Sequence, residues 1–236
     1  MSALSSSAVA IEAQPDETTC GPTCLHAVYR FHGATVDVAA LVDAVPSLPD
    51  GGTLEVLLAC DALRRGYRVS IHTYNLNMFD PTWFSAPGVD IAERLALRAA
   101  GRQDPKLAVA VAAYREFLAR GGRLYFGDLT RAVLRGLLGR GEPVIAALNL
   151  TYLYRQARVS GPHDEPDDIH GEPCGHFVVL NGYDRAQKTI GISDPYQANP
   201  VAEGQHYAVH VDRVIGAILL GVMTYDASLL VIQKPR

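Results

Sequence analysis

Helical and strand periodicities are segregated along this chain of 236 residues, and that segregation restricts its fold more than any other feature. Cys20 to Phe31 carries Leu25, Val28, Tyr29 and Cys24 at helical spacing and stops at Gly33. Asp37 opens a second helix that runs through Val45 and is ended by the Pro46 to Gly52 cluster. Thr53 is placed to cap a third, Leu54 to Arg65, with Glu55 in its first turn and Cys60 on its apolar side. Tyr67 to Tyr74 alternates and reads as a strand, followed by an aromatic loop, 75–84, that holds the only tryptophan, Trp83. Ile91 to Ala100 and Leu107 to Ala119 are helical, as is Leu129 to Leu138, for which Asp128 is the expected cap. The second half is read mainly as strands. Pro143 to Leu150 is an apolar run expected to be a buried strand, 157–174 an exposed polar loop, and His176 to Tyr183 with Thr189 to Ser193 a hairpin around Arg185. Tyr207 to Val211 follows as a strand, Val214 to Leu220 as a short helix and Leu229 to Gln233 as an edge strand. Helices first and an antiparallel sheet later read as an α+β fold. The length suits one domain, residues 1–236, with 1–12 expected to be disordered and 76–122 a helical insertion forming a lobe or lid.

Composition narrows the partners. A formal net charge of −4 without a basic run argues against nucleic acid or an anionic membrane, and Arg64, Arg65 and the arginines from Arg131 to Arg140 read as solvated helix faces. The longest apolar runs fall short of the ~20 residues needed to span a bilayer, and the N-terminus lacks a basic signal-peptide region. Four cysteines, Cys20, Cys24, Cys60 and Cys174, are too few for a disulfide scaffold of this size. All four read as reduced, which implies a cytoplasmic protein. No metal site or cofactor is expected. A Cys-x3-Cys half-site joined by Cys174 and His176 is conceivable, its spacing departing only modestly from the usual pattern with a matching second pair, and is the minor reading.

The chemistry concentrates in Gln14-Pro-Asp-Glu-Thr-Thr-Cys20-Gly-Pro-Thr-Cys24. A cysteine heading a helix meets backbone N–H groups and the positive end of the macrodipole, which favour a thiolate and can hold an oxyanion. Gly21 allows close approach of a substrate and Pro22 suits the first turn. By itself the pentapeptide Cys20 to Cys24 is equally a pair of structural cysteines, with Cys24 packed in the core. Among eight histidines, His176 follows Gly175 and opens an apolar strand, so a fixed backbone can present its ring to a cleft as a general base. Asp194 is the candidate to orient that ring. A three-residue hairpin loop, 184–186, pairs the two across one face, and a two-residue loop puts them on opposite faces. The sequence leaves that register open. The side-chain amide of Gln14 is placed to complete an oxyanion hole, although a surface glutamine is the plainer reading.

Gln14, Cys20-Gly21, His176-Phe-Val-Val-Leu and Asp194-Pro195, in that order, resemble the C39 and C39-like cysteine peptidases of the papain-like superfamily. The resemblance implies a papain-like peptidase fold with Cys20 as nucleophile, His176 as base, Asp194 as orienting acid and Gln14 in the oxyanion hole. Thr19 stands where exporter peptidase domains usually carry Asp, and the Cys20 to His176 interval is longer than theirs. The chain is therefore most similar to stand-alone bacterial C39-like proteins, and double-glycine leader cleavage does not carry over. Trp83, Tyr152 and Tyr154, with Gly21 and Gly175, are the expected substrate contacts, against aromatic packing as the alternative for the rings.

Three functional classes follow. One is a thiol hydrolase cutting a peptide or isopeptide bond. A second is an acyl or γ-glutamyl transferase on the same thiol. The third is a non-catalytic C39-like binding module, with a metal-binding protein as a more distant rival. The expected partner is a peptide or peptide-like substrate, and the oligomeric state is not read from the sequence.

Overall fold

The computed structural model describes residues 9–48, 51–161 and 163–235. The helices are α1 (Cys20–Phe31), α2 (Val38–Ala44), α3 (Glu55–Arg64), α4 (Thr82–Ser85), α5 (Ile91–Ala99), α6 (Pro105–Ala119), α7 (Arg131–Leu138), α8 (Leu150–Tyr154) and α9 (Val211–Leu220). The strands are β1 (Arg68–Thr73), β2 (Arg123–Phe126), β3 (Val144–Asn149), β4 (Val159–Ser160), β5 (Glu165–Pro166), β6 (Gly175–Asp184), β7 (Thr189–Ser193), β8 (His206–His210) and β9 (Ser228–Gln233). Seven strands form one sheet in the order β2-β1-β9-β3-β6-β7-β8, antiparallel except for the β1–β2 pair. β4 and β5 form a small hairpin within the 157–174 segment.

The central strands carry unbroken apolar runs, Val144 to Leu148, Phe177 to Leu180 and Leu229 to Ile232, because helices cover both faces of the sheet. Ile145, Ala147, Phe177, Val179, Leu230 and Ile232 join the core built with α1, α3 and α6. Their alternates Val144, Ala146, Val178, Leu180, Leu229 and Val231 join the core built with α7 and α9. The period of two thus distributes each strand between two cores rather than between core and solvent.

The antiparallel-dominated sheet with N-terminal helices packed on it is the α+β arrangement expected. The departures have local causes. Residues 229–233 were expected at an edge, yet β9 lies between β1 and β3 in the interior of the sheet, where its apolar run Leu229 to Ile232 is shielded on both faces and both edges. β2 has no counterpart in the sequence reading. It is four residues long and half exposed, so it carries almost no periodic signal. Its parallel pairing makes 76–122 largely the crossover from β1, since parallel neighbours need a long connection. Thr53 does not cap α3. Its hydroxyl donates to the Pro46 carbonyl, and Leu54 occupies the cap position. α7 is capped by Thr130, whose hydroxyl accepts from the Val133 N–H, rather than by Asp128. Of the N-terminal dozen, 1–8 lie outside the described residues, while Val9 and Ile11 are buried in the first core.

Candidate active site

α1 begins at Cys20, and the loop before it is folded by Asp16. The Asp16 carboxylate accepts from the Thr18 N–H and hydroxyl, each at 2.8 Å, an Asx turn that brings the chain into the helix. The Gln14 N–H donates to the Pro195 carbonyl at 2.9 Å, and Gln205 Nε2 donates to the carbonyls of Glu12 and Asp194, each at 3.0 Å. The nucleophile loop and the Asp194-Pro195 segment are therefore stapled together, although they lie at opposite ends of the sequence.

His176 and Asp194 meet: His176 Nε2 lies 2.9 Å from Asp194 Oδ1. The hairpin register shows why. Asp184 pairs with Thr189 and Gly182 with Gly191, whereas Leu180 pairs with Ile192, so Asn181 is an extra residue in β6. Without that bulge, continuation of the outer register would put Asp194 opposite Val179, on the other face from His176. With it, Asp194 falls opposite Val178, one residue pair along from His176 on the same face. Neither loop length considered from sequence applies, because the turn spans four residues, Arg185 to Lys188, and the bulge corrects the parity.

The carboxylate is held from every side. Asp194 Oδ1 also accepts from the Tyr196 N–H at 3.0 Å, and Oδ2 accepts from the Tyr154 hydroxyl at 2.7 Å and from the Tyr207 hydroxyl. Asp194 is fully buried, and burial works against its charge. The His176 charge and the hydroxyls of Tyr207 and Tyr154 outweigh that and hold its pKa below the usual carboxylate value. Burial likewise opposes a charge on His176, but Asp194 and the neighbouring Cys20 thiol push the imidazole to about 10. With Nε2 committed to Asp194, Nδ1 is the nitrogen left for Cys20. The rings of Tyr154 and Tyr196 flank the imidazole edge-on at 6.3 and 6.5 Å.

Two cavities meet at this point. One, of about 340 Å³, is lined by Cys20, Gly175, His176, Leu54, Thr224 and Asp226 among others. The second, of about 310 Å³, is lined by Gln14, Gly175, His176, Tyr196, Cys174 and Pro200 among others. Glu17, Gly175 and His176 border both, while Cys20 lines the first. Gln14 faces the second cavity. One of its two amide N–H groups donates to the Asp16 carbonyl at 2.8 Å, which leaves a second donor.

The expected substrate contacts separate. Gly175 borders both cavities. Gly21 is buried, and a Cβ there would lie 2.6 Å from Thr53 Cγ2, so its lack of a side chain admits α3's entry loop rather than a substrate. Trp83 packs edge-on against Phe79 in the first core and borders neither cavity. Tyr152 is half exposed and stacks over Gly216 in a different depression. Tyr154 reaches the site from behind, through Asp194. Tyr207 was missed altogether, because only its distance from Asp194 distinguishes it from any other strand tyrosine. Cys24 is fully buried with its thiol on the Phe177 carbonyl at 3.3 Å, and burial raises its pKa. All four cysteines are free, and no cluster of three or more metal-ligating side chains occurs among the described residues.

No curated protein matches the sequence. Residues 108–211 match the family model for the Peptidase_C39 like family, a span that includes His176 and Asp194 and leaves out Gln14 and Cys20. Among solved structures, the chain is similar to a protein from Bacillus anthracis assigned as a C39-like peptidase, at 16% identity and a TM-score of 0.50, with 98% of this chain and 96% of that one covered. It is also similar to the peptidase domain of Streptococcus ComA, a bifunctional ABC transporter involved in quorum sensing, at 13% identity and a TM-score of 0.44, with 97% and 99% covered. Among the described residues no helix is long and apolar enough to cross a membrane. The family model over 108–211 and the fold shared with the Bacillus anthracis protein thus make this chain similar to the C39-like peptidases.

Proposed function

We propose that the protein is a cysteine peptidase or amide hydrolase that cuts a peptide or isopeptide bond through an acyl-enzyme on Cys20. The observation that carries this reading is the buried Asp194–His176 pair directed at a cysteine that heads a helix and lines the first of two adjoining cavities. His176, raised against burial to about 10 by Asp194 and Cys20, already holds the Cys20 proton when sulfur attacks the carbonyl carbon. The carbonyl oxygen becomes an oxyanion, held by backbone N–H at the start of α1 and by the free Gln14 donor. The C–N bond then breaks, and His176 returns the proton to the leaving amine. Water, deprotonated by His176, attacks the thioester and releases the acid and the Cys20 thiol. Asp194 stays ionised and fixes the ring.

The chain acts as one domain, with the crossover between β1 and β2 carrying the added helices. Its free cysteines favour a reducing, cytoplasmic location.

Cys20→Ala is expected to abolish peptide turnover together with rapid labelling by iodoacetamide, read by mass spectrometry of the alkylated peptide. Activity that survives this substitution, with labelling at Cys24 or Cys174 instead, would overturn the assignment. Replacement of water by an added amine in the product would mark transfer rather than hydrolysis.

A further inference from the structure

Away from the thiol, the sheet face that carries the second core changes character toward the β2 edge. Cross-strand partners share a face, and the register pairs Arg68 with Gln233, Ser70 with both Val231 and Arg123, and His72 with Tyr125. Val231 belongs to the second core, so these residues continue its face. α7 and α9 pack on β3, β6 and β7, whereas a cavity of about 460 Å³ lies against β1, β2 and β9. Arg68, Arg123, His72 and Tyr125 line it from the strands, while Arg120 enters from the end of α6 and Arg140 from the end of α7. None of its lining residues borders either cavity at Cys20.

The positive charge gathered here exceeds its counter-charge. Among the described residues, four guanidinium groups line the cavity and no aspartate or glutamate does. Two carboxylates touch lining residues from outside. Glu116 accepts from Arg120 Nε at 2.7 Å and from Arg64 at 3.0 Å, and Glu142 accepts from Gln233 Nε2 at 2.6 Å. Counting both against the four guanidinium groups still leaves two charges over. Arg68 Nε donates to the Lys234 carbonyl at 3.1 Å, which occupies a donor without neutralising the charge. Arg123 and Arg140 have no side-chain hydrogen bond or ion pair with another described residue. The C-terminal ends of α6 and α7 favour cations at 120 and 140. Arg68 and Arg123 stand on strands, which have no such dipole. Burial, and then the charge of Arg140, hold His72 below the usual imidazole value, so the ring adds a neutral polar group.

A concavity lined by one sign of charge focuses its field and concentrates the opposite ion. Each guanidinium offers a planar fork of donors that matches phosphate oxygens, and several forks on one cavity match an anion of more than one charge. His72 and Tyr125 stack with centroids 4.8 Å apart and planes 24° from parallel, and Tyr125 is 44% exposed, so a flat ring borders the charged wall. The volume fits a small ligand. We propose that this cavity is a binding site for a small ligand bearing two or more phosphate groups, held by Arg123 and Arg140 with Arg68 and Arg120 beside them. The phosphates can belong to a nucleotide, with its base on the Tyr125 ring, or to a free polyphosphate. Since the site shares no lining residue with the cavities at Cys20, it stands apart from the peptidase reading.

The test is isothermal titration calorimetry of the full chain in metal-free buffer at about 0.1 M salt, with inorganic triphosphate, adenosine triphosphate, adenosine and citrate as probes. One-to-one binding of triphosphate or adenosine triphosphate with Kd below about 100 μM is expected, and adenosine and citrate should bind at least about tenfold more weakly. Arg123→Ala and Arg140→Ala, both at exposed positions, are each expected to weaken the phosphate probe at least about tenfold. Arg94→Ala, which removes an exposed arginine on α5, should leave it unchanged. Tighter binding of adenosine triphosphate than of triphosphate, with the difference removed by Tyr125→Ala, identifies a nucleotide, and equal binding identifies the phosphate chain alone. Failure of both phosphate probes to reach the stated affinity overturns the proposal. So does citrate binding as tightly as triphosphate, full affinity in either cavity variant, or an equal loss in Arg94→Ala.

Discussion

At the scale of single residues, the site depends on one carboxylate and what surrounds it. Asp194 is fully buried, and a buried carboxylate persists only if its oxygens are occupied. Two tyrosine hydroxyls, a backbone N–H and the imidazole do this. Tyr154→Phe and Tyr207→Phe should each cost roughly 1.5–3 kcal/mol, the range for a hydrogen bond to a charged group, read by denaturant unfolding at neutral pH. The sign with pH is determined. The pKa of Asp194 is depressed in the folded protein, so its stabilising contribution is present above the ordinary carboxylate value and is lost as pH falls through the folded value. Removing a hydroxyl moves the folded value up, so both variants should unfold at higher pH on acid titration, and the acid limb of kcat/KM should shift the same way. An unchanged acid limb would reduce the tyrosines to packing. Cys20 and His176 could be singled out from sequence because a helix start and a strand start after Gly175 present their reactive groups, whereas Gln14 entered the set through the resemblance to C39-like peptidases. Tyr154 and Tyr207 could not, since their role exists only once the sheet has closed.

At the scale of elements, a bulge and a strand position matter most. Asn181 shifts the β6–β7 register by one residue, which changes the face that every later residue presents. Its side-chain amide donates to the Ser193 hydroxyl at 2.8 Å, on the strand that leads into Asp194. A bulge leaves no periodic mark in an apolar run, which is why the hairpin was legible and its register was not. β9 was legible as a strand but not as a central one, because the apolar run Leu229 to Ile232 shows that both faces are covered without naming the neighbours. Leu230 is 1% exposed in the first core. Leu230→Ala is expected to destabilise the protein by roughly 2–5 kcal/mol, measured by urea or thermal unfolding. A cost below about 1 kcal/mol, which a collapsible edge site would show, would contradict the central position.

At the scale of the whole molecule, buried ionisable groups set the response to pH. His176 is raised to about 10, so its contribution is complete below the ordinary imidazole value and is lost as pH rises through the folded value. Glu55 and Asp226, raised by burial to about 7 and about 8, lose their contribution as pH rises from the ordinary carboxylate range through those values. Asp194 alone among these groups works in the opposite direction, losing its contribution in acid. Maximum stability is therefore expected near about pH 4, where Asp194 is ionised and Glu55 and Asp226 have not begun to lose their contribution, with a steady decline toward pH 9, in a series of thermal scans. A maximum at or above about pH 8 would show that the buried acids do not carry the response. Residue chemistry and periodicity by themselves determined the α+β class and most helix and strand locations, because those properties are local or repeat at short range, and they marked Cys20, His176 and Asp194 as candidates that the resemblance joined into one set. The tertiary structure alone decided the central place of β9, the face on which Asp194 meets His176, the tyrosines that hold it and the gathering of Arg68, Arg120, Arg123 and Arg140 around one cavity. Each of these depends on contacts between segments far apart in the chain, and such contacts have no counterpart in local sequence pattern.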